Sequence, residues 1–235
     1  MLRSRQAFDG QLMQLHQRLL QMGSFVEAML EKSMRALSEQ DVNLAREVIS
    51  ADDVADAMDL DIERHCMELL ALQQPMSKDL RLIGTVMKVI ADVERIGDYS
   101  VDIARTAIKL AGREYFKPLV DISRMGEIVG VMLRRALQAL VGNDLEIVAE
   151  VIERDDEVDK MWYSLLDEIE VIIQERPETV PQAVSLLLVA RYLERVADHT
   201  VNIAERVAYM VTGHFETLAP SHRSDYRLPD DNTTD

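Results

Sequence analysis

The fold is decided by a stretch that occurs twice: residues 90–104 read IADVERIGDYSVDIA, and residues 190–204 read ARYLERVADHTVNIA. In both copies the apolar residues recur at intervals of three and four, which is the spacing of one face of an α-helix. In both copies a glutamate stands four residues before an aspartate, so the two carboxylates lie on one helix face, a turn apart. The stretch therefore predicts a helix that is buried on one side and carries an acidic pair.

A second pair of segments also matches between the two halves of the chain. Residues 52–56 read DDVAD, and residues 155–159 read DDEVD, 103 positions later. The two copies of the first stretch are 100 positions apart, so the spacing changes between the two motifs, in a proline-containing turn. Loops accept such deletions at small cost. The chain is therefore a tandem repeat of about a hundred residues per copy.

The rest of the sequence is also typical of long helices. Only six Pro and nine Gly occur in 235 residues, so few positions force a helix to end. We expect Ser77 or Asp79 to cap the third helix, and Gly112, Gly142 and Gly213 to mark helix ends. Helical spacing of apolar residues predicts six helices, over about residues 6–38, 42–74, 77–111, 119–141, 144–176 and 182–212.

These helices predict an all-α protein built from two tandem three-helix bundles. The first repeat covers residues 1–113, the second covers residues 114–213, and residues 214–235 form a flexible polar tail. The two bundles are related by a pseudo-twofold axis or are laid end to end; the sequence leaves both arrangements open.

The charge of the chain excludes several classes of partner. Acidic residues outnumber basic ones by 42 to 26, for a net charge of −16, which repels nucleic-acid phosphates. No apolar run reaches the roughly 20 residues of a membrane-spanning helix. The single cysteine, Cys66, excludes an internal disulfide and fits a reducing compartment. We therefore expect a cytoplasmic protein that does not bind nucleic acid and reaches a membrane only by docking.

Four acidic pairs are the candidate metal ligands. Like charges four residues apart cost a helix roughly 0.2–0.5 kcal/mol per pair, so two such rows on neighbouring helices call for a positive partner. One candidate is a cation that prefers oxygen ligands, such as Mg²⁺, Mn²⁺, Ca²⁺ or iron. The other is a set of arginines, Arg81, Arg95, Arg191 and Arg195. The pairs are Asp52 with Asp56, Glu94 with Asp98, Asp155 with Asp159, and Glu194 with Asp198.

The spacing of these pairs is not specific by itself. With 42 acidic residues in 235, composition alone gives roughly seven chance pairs four residues apart. Four pairs at equivalent places in two repeats are stronger support, although duplication makes the two halves dependent on each other. A metal site and an arginine-bridged structural network both stay open at this point.

No catalytic residue and no organic cofactor is assigned. The sequence lacks the Glu-x-x-His ligands of di-iron bundles, a Cys/His zinc cluster and a Gly-rich phosphate loop. His199 directly follows Asp198 and therefore points to another face of the helix, so we interpret it as a surface or interhelical residue. Gly126 and Gly130 are interpreted as positions of close helix packing. The protein is not expected to be an enzyme.

The two repeats resemble the PhoU family of phosphate-signalling proteins. The resemblance lies in the turn at residues 74–81, QPMSKDLR, in residues 90–98, IADVERIGD, and in residues 190–198, ARYLERVAD; it covers about residues 5–213. It implies a cytoplasmic, often homodimeric regulator that represses the phosphate-starvation response. Such a protein couples the phosphate ABC transporter, through its ATPase subunit, to a membrane sensor histidine kinase, and restrains phosphate uptake.

The resemblance also implies metal binding through the eight paired carboxylates. The expected cations are iron, Mn, Mg, Zn or Ni. The ligands would be Asp52, Asp56, Glu94 and Asp98 in the first repeat, and Asp155, Asp159, Glu194 and Asp198 in the second. Two departures weaken the second site: Ala197 stands where the motif has glycine, and Asn202 stands where the first repeat has Asp102. The alternatives are a carboxylate-bridged metal enzyme, a metal-storage bundle, and a structural bundle with solvated acidic rows.

Overall fold

The computed structural model describes residues 2–219, which form six long α-helices and no strand. A short 3₁₀ turn, Pro177–Thr179, leads into the last helix. The predicted all-α fold with two three-helix repeats is therefore confirmed. The helices are α1 Leu2–Glu39, α2 Val42–Gln73, α3 Ser77–Leu110, α4 Val120–Gly142, α5 Leu145–Glu175 and α6 Val180–Thr212.

The helix starts show both the duplication and one wrong prediction. Asp41 and Asp144, 103 positions apart, cap α2 and α5 in the same way, each accepting hydrogen bonds from two backbone N–H groups of the first turn. The prediction that Ser77 or Asp79 caps α3 is wrong, since Met76 precedes the helix and no side chain caps it. Ser77 is already the first helical residue, and the N–H of Asp79 donates to the Met76 carbonyl. Both residues therefore lie inside the helix, and the cap position belongs to Met76.

Helices α3 and α6 pack antiparallel along the seam between the two bundles. Asp92 Oδ1 lies 2.9 Å from His199 Nδ1 across this seam. The residue 100 positions after Asp92 is Tyr192, and the residue 100 positions before His199 is Tyr99. The rings of these two tyrosines stack, with their centroids 5.8 Å apart. The two contacts are therefore related to each other by a twofold rotation. This confirms the interpretation of His199 as an interhelical residue.

Helices α1 and α4 make a second seam with the same symmetry. A Cβ added to Gly23 would lie 2.6 Å from Leu137, and one added to Gly126 would lie 2.7 Å from Met34. Gly126 follows Gly23 by 103 positions, and Leu137 follows Met34 by the same number. The bundles therefore lie side by side about a pseudo-twofold axis, and the end-to-end arrangement is excluded.

The two flanking helices differ from the two central ones in burial. Helices α3 and α6 bury 14 and 16 residues, whereas α2 and α5 bury seven each. The central helices are covered by their own bundle and by each other, while α2 and α5 pack on the outside. The acidic pairs lie on one outer and one central helix in each half. No helix within residues 2–219 is both long and apolar enough to cross a membrane.

Residues 214–219 run back along α6. The Phe215 ring lies under the guanidinium of Arg206, 4.5 Å from the ring centroid, and the Leu218 N–H donates to Glu205. The rest of the predicted flexible tail, residues 220–235, lies outside the described residues, so its flexibility stays a prediction.

The two glycines of α4 should respond differently to substitution. Gly126→Leu is expected to destabilise the protein by about 1–3 kcal/mol, because the new side chain would push against Met34 and part the α1–α4 seam. A Cβ at Gly130 would meet nothing within 4 Å, so Gly130→Ala should stabilise by about 0.5–1 kcal/mol through helix propensity. Urea unfolding monitored by circular dichroism measures both. Equal effects of the same sign would contradict the assigned packing.

Candidate functional site

The first carboxylate cluster consists of Asp52 and Asp56 on α2 and of Glu94 and Asp98 on α3. The pKa of Asp52 is raised by burial and by the negative charges of Asp56 and, across the two helices, of Asp98. Burial and the charge of Asp98 raise the pKa of Glu94, with smaller contributions from α2. Such mutual effects require that the two rows face each other. The structure therefore brings the four predicted residues of the first repeat together.

Asp59 also belongs to the first cluster. It stands three residues after Asp56, on the same face of α2, and its negative charge acts on Glu94. Burial and the charges of Glu63 and Asp56 raise its own pKa. The sequence signal for Asp59 is its spacing of three from Asp56, which places both carboxylates on one face of α2.

The second cluster consists of Asp155 and Asp159 on α5 and of Glu194 and Asp198 on α6. The pKa of Glu194 is raised to about 7, mainly by burial and then by Asp198, while Asp159 acts on it from α5. Asp155 is also buried, with 1% of its surface exposed. The two rows of the second repeat therefore face each other as well, in a more enclosed place.

Arginines accompany both clusters at equivalent positions. Arg95 lies 2.9 Å from Asp98 and 3.6 Å from Glu94, and Arg195 lies 3.0 Å from Asp198 and 3.7 Å from Glu194. Arg191 makes a further ion pair with Glu194. Arg81, the fourth predicted arginine, has its guanidinium near the end of α6 instead, where a Cβ added to Gly213 would lie 3.8 Å from its Cζ.

The clusters have the donor atoms of a metal site without a closed coordination shell. As the side chains stand in residues 2–219, no group of three His, Cys, Asp or Glu is placed to hold one ion. The acidic side chains of the first cluster offer carboxylate oxygens, which suit hard cations. The raised pKa values of Asp52 and Glu94 indicate that the repulsion between these carboxylates is only partly relieved. In the second cluster, Glu194 Oε2 is buried and accepts no hydrogen bond. The carboxylate oxygens of both clusters are donor atoms of the kind that hard cations prefer.

Ala197 does not distort the second cluster. A Cβ at the equivalent Gly97 would lie 3.7 Å from Val26 and 4.0 Å from Ala55, which are ordinary contacts. The helix therefore accepts alanine at this position without moving the flanking carboxylates. Of the two departures from the motif, this one carries no steric consequence.

Cys66 takes no part in either cluster. Its thiol is buried, and burial raises its pKa to about 12. A thiol with such a pKa stays protonated and is a poor metal ligand. The interpretation of Cys66 as a packed residue is confirmed.

A sequence model of the PhoU domain matches the chain twice, at residues 19–107 and 122–207. The chain belongs to the PhoU family. Each matched range contains one complete carboxylate cluster, so the family domain coincides with the structural repeat. The duplication seen in the two helix seams is therefore a duplication of PhoU domains.

Individual PhoU proteins resemble the chain over nearly its whole described length. The "phosphate-specific transport system accessory protein PhoU homolog" of Clostridium acetobutylicum is 38% identical over 211 residues, which cover 89% of this chain and 96% of that protein. The crystal structure of PhoU from Pseudomonas aeruginosa superposes with a TM-score of 0.86 at 34% identity, covering 88% of this chain and all of that one. The PhoU structure from Streptococcus pneumoniae gives a TM-score of 0.85 at 30% identity, over 90% of this chain and all of that one.

Glu194 should make stability depend on pH. Its pKa is about 7 in the folded protein, against 4.5 ordinarily, so the folded state holds more protons than the unfolded state between these values, and stability falls as pH rises. The Glu194→Gln variant lacks this titrating carboxyl, so its free energy of unfolding should not fall for this reason as pH rises. The difference in free energy of unfolding between the variant and the wild type should therefore shift by about 2–3 kcal/mol in favour of the variant between pH 4.5 and pH 8. Urea unfolding of both proteins, in buffers that contain a metal chelator, measures this difference.

The matched control for this pH dependence is Glu153→Gln, which removes the same charge from an exposed position of α5. Its stability relative to the wild type should change little over the same pH range. A Glu194→Gln difference that is flat with pH, or that falls, would contradict the burial of a proton-binding carboxyl at this position.

Proposed function

We propose that this protein is a cytoplasmic negative regulator of phosphate uptake and of the phosphate-starvation response. In this role it couples the phosphate ABC transporter, through the ATPase subunit, to a membrane sensor histidine kinase. The observation that carries the proposal is the double match to the PhoU domain on a duplicated helical scaffold, with relatives named as accessory proteins of phosphate transport. We also expect a homodimer, docked peripherally at the membrane.

The architecture suits an adaptor better than an enzyme. The carboxylates lie in rows between two helices, and those on α3 and α6 form ion pairs with neighbouring arginines. Helices of 30 residues or more offer long faces to partner proteins. Such faces can contact a transporter and a kinase at separate places on one rigid body.

The eight paired carboxylates would hold the metal ions of this regulator. Asp52, Asp56, Glu94 and Asp98 would serve one site, and Asp155, Asp159, Glu194 and Asp198 the other. A cation that prefers oxygen ligands, such as iron, Mn or Mg, would supply positive charge that links an outer helix to a central one. Zn or Ni, which are softer cations, would serve in the same way. Elemental analysis of protein purified without chelator identifies the ion.

Deletion of the gene tests the regulatory function. In phosphate-rich medium the deletion strain should express phosphate-starvation genes and accumulate phosphate, and the wild-type gene should restore repression. Quantitative reverse-transcription PCR and phosphate uptake measure the two effects. A deletion strain with unchanged expression and uptake would reject the proposed function.

The alternative of a metal enzyme or a metal-storage bundle has one observation in its favour. A carboxyl with a pKa of about 7, such as that of Glu194, has the proton affinity of a general base at neutral pH. Hydrolysis or redox turnover by the metal-loaded protein, lost in Glu94→Ala/Asp98→Ala or in Glu194→Gln, would support an enzyme. Many metal ions per chain without turnover would support storage.

A further inference from the structure

We propose that the junction of α5 and α6 in the second repeat is a docking site for a basic amphipathic helix of a partner protein. This assignment rests on the proposed function, since an adaptor contacts its partners through such surfaces. The site is an apolar area, called the α5–α6 patch below. It consists of Trp162, Leu166 and Ile173 on α5 and of Val180, Val184, Leu187 and Leu188 on α6.

Two contacts show how α5 and α6 lie beside each other. The charge of Asp159 acts on Glu194. Three residues further along α5, the ring of Trp162 lies under the guanidinium of Arg191, with Cζ 5.8 Å from the ring centroid. From the first contact to the second, the residue number rises by three on α5 and falls by three on α6. The two helices are therefore antiparallel and in register here.

The same register places apolar side chains of the two helices side by side. Four residues beyond the Arg191 contact are Leu166 on α5 and Leu187 on α6, and seven residues further on are Ile173 and Val180. Spacings of four and seven keep side chains on one face of a helix. The patch therefore follows the junction for about three turns, or roughly 16 Å at 1.5 Å per residue.

The patch is exposed although it is apolar. Val184 is 47% exposed, Leu188 is 44% exposed, and Val180 and Leu166 are 37% exposed each. Trp162 is half-buried against the core. Single exposed apolar residues are ordinary on a protein surface, whereas a contiguous apolar area marks an interaction site.

The fold does not require these apolar side chains. The first repeat has the same helix arrangement and buries as many residues of its outer helix, seven, as the second does. The equivalents of Val184, Leu188, Trp162 and Leu166 are Gly84, Lys88, Asp59 and Glu63, which lie 100 positions earlier on α3 and 103 positions earlier on α2. Glycine and charged residues are therefore sufficient for folding at these positions, and the apolar residues of the second repeat point to a ligand.

The charge around the patch favours a basic ligand. Helix α5 carries eleven acidic residues against two basic ones, and Asp167 and Glu170 are exposed beside Leu166. The guanidinium of Arg191 forms an ion pair with Glu194, so its charge is locally offset. Surfaces of opposite charge attract each other and steer association. The docked segment therefore carries Lys or Arg along the flank that faces α5.

The same charges disfavour three other occupants. A second copy of the chain brings the same net charge of −16, and an anionic lipid surface is repelled in the same way. Residues 220–235 of the chain itself are also acidic, with four Asp against two Arg. An amphipathic helix from another protein fits better, since it lays apolar residues at intervals of three, four and seven into a groove between two helices.

Trp162 is the only tryptophan of the chain and therefore reports binding at the patch. The probe is a synthetic helical peptide without tryptophan, with Leu at intervals of three and four and Lys on both flanks. When it is titrated into the full chain, the Trp162 emission should shift to shorter wavelength and saturate. The same peptide with Ser in place of Leu should leave the emission unchanged. A peptide with Glu in place of Lys should bind at least tenfold more weakly.

Val184→Glu and Gly84→Glu form a matched pair of variants. Both place a glutamate at equivalent exposed positions, and a Cβ at Gly84 meets nothing within 4 Å. Val184→Glu should weaken peptide binding at least tenfold, whereas Gly84→Glu should leave it within twofold of the wild type. Attraction by charge alone predicts stronger binding by both variants, because each adds a negative charge. Circular dichroism confirms the fold of each variant.

The same pair tests whether docking serves regulation. A strain that carries only Val184→Glu should express the phosphate-starvation genes in phosphate-rich medium at the level of the deletion strain. A strain that carries only Gly84→Glu should repress these genes as the wild type does. Immunoblotting confirms equal amounts of the two variants.

The remaining outcomes separate the docking site from the proposed function. An unchanged Trp162 emission with the Lys peptide, equal weakening by both variants, or normal repression in the Val184→Glu strain overturns the docking site while the regulatory function stands. A shift that appears with phosphatidylglycerol vesicles, or with dimer formation, and not with the peptide assigns the patch to a membrane or to a second copy and also overturns it. A deletion strain that keeps repression rejects the proposed function, and the peptide titration then judges the docking site alone.

Discussion

The antiparallel packing of α3 against α6 is the contact on which the rest of the structure depends. These two helices bury 14 and 16 residues, against seven each in α2 and α5, because each packs against its own bundle and against the other. Burial of apolar surface is the main stabilising contribution in such a protein. The seam also fixes the rotation of each central helix, which in turn decides that Glu94 and Glu194 face the outer helices rather than the core.

That rotation creates an electrostatic problem on both sides of the molecule. Each central helix presents two carboxylates to an outer helix that presents two more, so like charges meet where water is partly excluded. Raised pKa values at Asp52, Glu94 and Glu194 are the direct result. The first repeat leaves the charges near solvent, and the second buries them with an additional arginine. The two repeats therefore accommodate the repulsion between carboxylates in different ways.

The sequence by itself determined the helical class, the duplication and the identity of the paired carboxylates, because these depend on local spacing along the chain. Helical periodicity and the repeat at 100 and 103 residues require no knowledge of distant contacts. The resemblance to PhoU carried by residues 90–98 and 190–198 was sufficient to identify the family. The wrong cap at Ser77 shows the limit of local reasoning, since a helix start depends on how the preceding turn is placed.

Only the tertiary structure decided how the halves are arranged and which charges meet. The choice between a pseudo-twofold and an end-to-end arrangement depended on contacts such as Gly126 with Met34, which lie far apart in sequence. The stacking of Arg191 on Trp162 joins two helices and has no local signal. Spacing along one helix fixes which side chains share a face, but the partner of that face is set by how separate helices pack.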